Sequence, residues 1–109
     1  MSGTTTLDVC GSRKIGDPTD DAIREALAGL DKSNDDAFVI LGFDELTYVQ
    51  TSGDVRQGFD LEYQDGSTDR HFRATREDLT LEEIVAVFVN YRDARDDWWA
   101  DLEFEPLMW

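Results

Sequence analysis

The sequence predicts an α+β domain, a mostly antiparallel sheet with two helices in the order β-α-β-β-β-β-α-β. Three observations predict it. Two stretches, Asp17–Leu30 and Thr80–Tyr91, repeat apolar residues at helical spacing behind helix-start signals. Between them, Phe38–Thr75 holds β-prone runs broken by short turn clusters. Short links between strands leave no room for crossover helices, so the strands run antiparallel.

The elements follow in order. Thr4–Cys10 is threonine-rich, with Leu7 and Val9 alternating, and predicts a first strand at a sheet edge. Gly11-Ser12 turns the chain, and Arg13-Lys14-Ile15 forms a short return. Asp17-Pro18 opens a helix as N-cap and first helical residue, with Asp20 and Asp21 suiting the dipole. Ile23, Ala26, Leu27 and Leu30 make its apolar stripe. Phe38–Leu41 is a continuous apolar run, the mark of a central strand covered on both faces. Gly42–Glu45 turns, Leu46–Thr51 is a strand, and Ser52–Gly58 is a loop.

Gly58–Thr75 then reads as a hairpin. Phe59, Leu61 and Tyr63 alternate with polar residues, Asp65-Gly66-Ser67 turns, and Phe72 and Ala74 alternate on return. A two-residue loop at Gly66-Ser67 sets Leu61 opposite Phe72 and Phe59 opposite Ala74, buried. On the other face it sets Glu62 opposite His71 and Asp60 opposite Arg73, two favourable charge pairs. Thr80-Leu81-Glu82-Glu83 is a capping box, with Leu79 and Ile84 as its hydrophobic staple. Ile84, Val87, Phe88 and Tyr91 form the second helix's buried stripe, widened by Val85 and Val89. The helix fades through Arg92–Asp97. From Trp98 to Glu105 one parity is apolar and the other, Trp99, Asp101, Glu103 and Glu105, is an outer face. Pro106 ends that strand, and Leu107-Met108-Trp109 is an apolar terminus.

The 109 residues fit a single domain, 1–109, with one core. The longest apolar run, Ile84–Val89, is far short of a membrane span, and no basic-then-apolar leader opens the chain. The single cysteine, Cys10, excludes an internal disulfide and fits a cytoplasmic, reducing setting.

The net charge is −15, from 25 acidic against 10 basic residues. Such a chain does not attract phosphate, which argues against nucleic acid as partner. The acidity suits either a basic protein partner or a solvated, salt-adapted surface.

The candidate chemical sites are weak. His71 beside Glu62 has the composition of an acid–base pair, but nothing marks a nucleophile or oxyanion site, and the pair is expected to be solvated. Asp31–Asp35 opens like a calcium loop, yet Asp36 stands where Gly is required and Gly42 where Glu is required. Gly11 and Gly16 have phosphate-loop spacing, but Asp17-Pro18 replaces the Lys-Ser/Thr. Cys10 has Arg13 and Lys14 nearby, offset by Asp8 and Asp17. Neither metal nor cofactor is expected. The most suggestive surface is Trp99 among Asp101, Glu103 and Glu105: an aromatic anchor in a negative field. Glu62, His71 and Arg73 form the second candidate patch.

The layout also resembles a known class. An Asp-Pro-Thr helix start is followed by Phe-Val-Ile-Leu and Leu-Thr-Tyr-Val-Gln-Thr. Then come Gly-Phe-Asp-Leu-Glu-Tyr-Gln-Asp-Gly-Ser, Arg-His-Phe and a closing Trp-Trp-Ala-Asp-Leu-Glu-Phe-Glu-Pro. From Asp17 to Pro106 the chain resembles small bacterial immunity proteins encoded beside polymorphic toxins with deaminase-type domains, and related short bacterial proteins of unassigned function. The resemblance implies a non-enzymatic protein that neutralises a cognate toxin by occlusion, so no catalytic residue carries over. The alternative is an acidic structural or regulatory domain, single or homodimeric.

Overall fold

The computed structural model of the chain describes residues 5–11, 13–30, 37–67, 69–94 and 102–106. It is α+β. A seven-stranded sheet runs β2-β1-β3-β4-β7-β8-β9, with every neighbouring pair antiparallel. Its strands are β1 (Thr6–Val9), β2 (Arg13–Gly16), β3 (Val39–Asp44), β4 (Thr47–Thr51), β7 (Glu62–Asp65), β8 (His71–Ala74) and β9 (Phe104–Pro106). Between β4 and β7 the chain forms a small arm, β5 (Gly53–Asp54) paired with β6 (Gly58–Phe59). The helices are α1 (Asp20–Ala28) and α2 (Leu81–Arg92).

Both helices lie over one sheet face. Leu7, Val39, Leu41, Val49, Leu61 and Ala74 point from that face into one core, together with Ile23, Leu27 and Leu30 from the α1 region and Ile84, Val87, Phe88 and Tyr91 of α2. Burial of this apolar surface supplies the main driving force for folding. The α2 stripe is the one its spacing predicts. Its capping box is present in full: Thr80 Oγ1 accepts the Glu83 N–H at 3.2 Å, and Glu83 Oε1 accepts the Thr80 N–H at 3.1 Å. The Arg76 guanidinium, with that backbone bond, holds the Glu83 carboxyl below its usual range. Leu79 and Ile84 are both fully buried beside the box.

Several expectations are corrected. β1 is interior and β2 is the edge, because β1 pairs with both β2 and β3. Helix α1 is capped by Thr19, whose side chain accepts the Ala22 N–H, not by Asp17. Asp17 instead sits at φ 50° with its N–H bound to the Thr5 carbonyl, so the chain turns there and the helix starts beyond Pro18. Strand β3 fully buries one face and half-buries the other: Val39 and Leu41 are buried while Ile40 is half-buried. It also runs on to Asp44 past a register shift, where a turn was expected. The 52–58 stretch is the arm and not a plain loop. Pro106 is the last residue of β9, as expected, at an edge position that tolerates its missing N–H.

The hairpin register is the main correction. Glu62 opposes Arg73, Tyr63 opposes Phe72, and Gln64 opposes His71. The loop holds four residues and not two, closed by Asp65 N–H to Arg70 O at 3.0 Å. Ala74 N–H bonds Leu61 O, so Leu61 faces Ala74 and not Phe72. Phe72 is half-buried, stacked on Tyr63 at 4.9 Å. Tyr63 also meets Phe104 edge-on at 4.9 Å. Phe59 has left the hairpin. It pairs with Gly53 in the arm and bridges Leu79. Asp60 does not meet Arg73; its carboxylate accepts the Ser52 N–H and Oγ, both at 2.8 Å.

The calcium-like stretch 31–36, Ser12 of the first turn, 95–101 and the terminal 107–109 lie outside the described residues. No helix among the described residues is long and apolar enough to cross a membrane.

Candidate functional site: the helix-free sheet face

The sheet face away from the helices carries the polar alternates of each strand. Their pairing aligns one residue from every strand into a single lateral row. Glu105 opposes Arg73, which opposes Glu62, then Gln50, Ile40, Asp8 and Lys14. Directly opposed residues share a face, so the row crosses all seven strands. At ~4.8 Å per strand it is about 29 Å long. A second row beside it holds His71, Gln64, Tyr48, Gly42 and Thr6.

Four of the seven sequence-predicted site residues meet at one end of this face. Arg73 bonds Glu105 at 2.7 Å, and that hydrogen bond holds the guanidinium above its ordinary range. Glu62 and His71 are diagonal neighbours and not opposed, yet His71 Nε2 lies 2.9 Å from Glu62 Oε1. Glu103 is exposed just before β9, where its carbonyl accepts the Thr75 N–H. Trp99 and Asp101 lie outside the described residues.

His71 is buried, 4% exposed, where a solvated pair was expected. The cause is Gln64, also buried, which bonds His71 Nδ1 at 3.2 Å through Oε1 while its amide donates to the Leu46 carbonyl at 3.2 Å. Tyr48 donates to the same Gln64 oxygen at 3.4 Å and packs edge-on to the imidazole. Burial, with Glu62 adding, pushes the Tyr48 hydroxyl up. His71 thus links β7, β8 and β4. Changing His71 to Ala is expected to cost about 1–3 kcal/mol, because buried Gln64 and half-buried Glu62 lose a partner. Urea denaturation of the variant measures this; a midpoint equal to wild type would contradict it.

The other chemical candidates sit apart. Cys10 is exposed in the β1–β2 turn, at φ 56°. Among the described residues no group of three or more His, Cys, Asp or Glu side chains could hold a metal ion.

Sequence reasoning missed Asp8, Lys14, Ile40, Tyr48 and Gln50 as members of this face. The alternation in each strand held the signal: Asp8 sits between core-facing Leu7 and Val9, and Gln50 between Val49 and Thr51. What single strands do not carry is the register that brings these alternates into one row.

No family model, curated protein or solved structure matches the chain.

Proposed function

We propose that the chain is a non-enzymatic binding protein of the bacterial immunity type, acting in the cytoplasm, that neutralises a cognate basic toxin by covering its active surface. One observation carries this reading: Glu62, Arg73 and Glu105 converge on the sheet face opposite the two described helices, with exposed Glu103 alongside, in a chain of net charge −15. A broad sheet face presents many side chains at fixed spacing, which suits occlusion of a partner's cleft. The negative field speeds encounter with a basic protein and discriminates against acidic ones. Occlusion requires no catalytic group, cofactor or metal, and the negative field disfavours nucleic acid as ligand.

The test is kinetic binding to the product of the neighbouring gene, which this reading expects to be a toxin. Asp101→Asn with Glu103→Gln is expected to slow association at low salt, with the difference shrinking as salt screens the field. Trp99→Ala is expected to raise the dissociation rate, as for an aromatic hot spot. Variants that fold normally and bind like wild type would move the interface elsewhere.

A further inference from the structure

We infer that the helix-free face is also a self-complementary dimer interface, two copies packing face to face about a twofold axis along β4. The lateral row reads Glu105, Arg73, Glu62, Gln50, Ile40, Asp8, Lys14. Its charges are minus, plus, minus, then two neutral residues, then minus and plus. β4 is the middle strand of seven. A twofold axis in the interface plane and along β4 reverses the row. Glu105 then meets Lys14 of the second copy, Arg73 meets its Asp8, and Gln50 meets Gln50. No position in the row meets its own charge, which an isologous interface requires. Glu62, already held by His71, meets Ile40.

Three further features fit. The centre of the face is the least charged part: Ile40, Gly42, Tyr48 and Gln50 lie on β3 and β4, with ionised side chains towards both ends. That is the arrangement of an interface core with a charged rim. Secondly, Lys14, like Arg13 and Arg56, has no ion-pair partner among the described residues, whereas Arg73 is engaged with Glu105 within the chain. Lys14 is exposed and placed where Glu105 of a second copy would arrive. Thirdly, a uniformly twisted sheet maps onto a parallel surface under a twofold axis along its central strand. The faces therefore stay in contact to both ends, as in aligned sheet packing.

The inference does not rest on the toxin reading, because it concerns the chain alone. If both hold, a partner must displace the second copy from the face.

Sedimentation equilibrium of the purified chain at about 0.1 mM, a concentration that detects micromolar association, tests it. A mass of twice 12.4 kDa is expected. Lys14→Glu alone and Glu105→Lys alone each oppose like charges at both ends of the interface and should weaken the dimer about tenfold or more. Mixed in equal amounts, the two variants pair opposite charges at both ends, so association should return to near the wild-type level. Gln50→Lys sets two lysines against each other on the axis, leaves the Arg73–Glu105 pair untouched, and should also give monomer. Circular dichroism checks that each variant is folded. A monomeric wild type, single variants that associate like wild type, or a mixture no tighter than its components would each overturn the inference.

Discussion

Replacing Phe88 with Ala is expected to destabilise the fold by about 3–5 kcal/mol, the cost of removing a fully enclosed aromatic ring. Phe88 lies on α2 and is 0% exposed, among the largest side chains in the core. Its neighbours on the helix stripe, Ile84 and Val87, are anchored by the capping box behind and by β-sheet side chains below. They cannot collapse far into the space. At roughly 4 °C per kcal/mol for a chain of this size, the melting temperature should fall by about 12–20 °C. A calorimetric scan showing a fall of only a few degrees would mean that α2 is not clamped against the sheet as described.

Gly53→Ala is expected to have the second-largest effect, although it adds only a methyl group. Gly53 has φ 124°, a backbone conformation that L side chains rarely adopt. A Cβ there would lie 2.2 Å from the Gly58 carbonyl oxygen and 2.9 Å from the Phe59 Cα. These are backbone atoms and cannot swing aside as a side chain would. The conformational cost alone is about 1–3 kcal/mol, and separation of β5 from β6 adds to it. Because Phe59 is fully buried at the end of β6, opening the arm also pulls on the core. Gly16→Ala is the control. A Cβ at Gly16 has nothing within 4 Å, so its effect should stay within about 0.5 kcal/mol. Chemical denaturation of the two variants checks this, and equal losses would contradict the arm geometry.

The helices were legible because their signals are local. Thr80 and Glu83 are three residues apart, and Ile84, Val87, Phe88 and Tyr91 repeat at the helical period. The hairpin register was not legible, for a definite reason. Moving the pairing by two residues keeps every side chain on its own face. Leu61 points into the core whether it opposes Phe72 or Ala74, so alternation does not choose between them. The choice is made by contacts remote in sequence: the Gly66 N–H bonds the Leu46 carbonyl at 2.9 Å and fixes the loop. Phe59 misled in the same way. It continues the alternation of Leu61 and Tyr63, but the Asp60 carboxylate is drawn to Ser52, and the chain before it belongs to the arm.

The site was half legible. Glu62, Arg73 and Glu105 were predicted as outward-facing, and they are half-buried or exposed on the face away from the described helices. The burial of His71 was hidden because it depends on Gln64 and Tyr48, and Tyr48 is 23 positions away in sequence on another strand. Asp8 and Lys14 were hidden because only the full strand order places them in line with Glu105.

The most direct test of the central claim compares two double substitutions with the same change in net charge. Glu103→Gln with Glu105→Gln removes two charges from the β9 end of the helix-free face. Asp21→Asn with Glu25→Gln removes two exposed charges from α1, on the other side of the sheet. Association with the neighbouring gene's product is measured for both at low and at moderate salt. The β9 pair is expected to slow association about tenfold at low salt, with the difference shrinking at moderate salt, while the α1 pair leaves the rate close to wild type. Equal slowing by both pairs, or no slowing by either, would contradict the helix-free face as the binding surface.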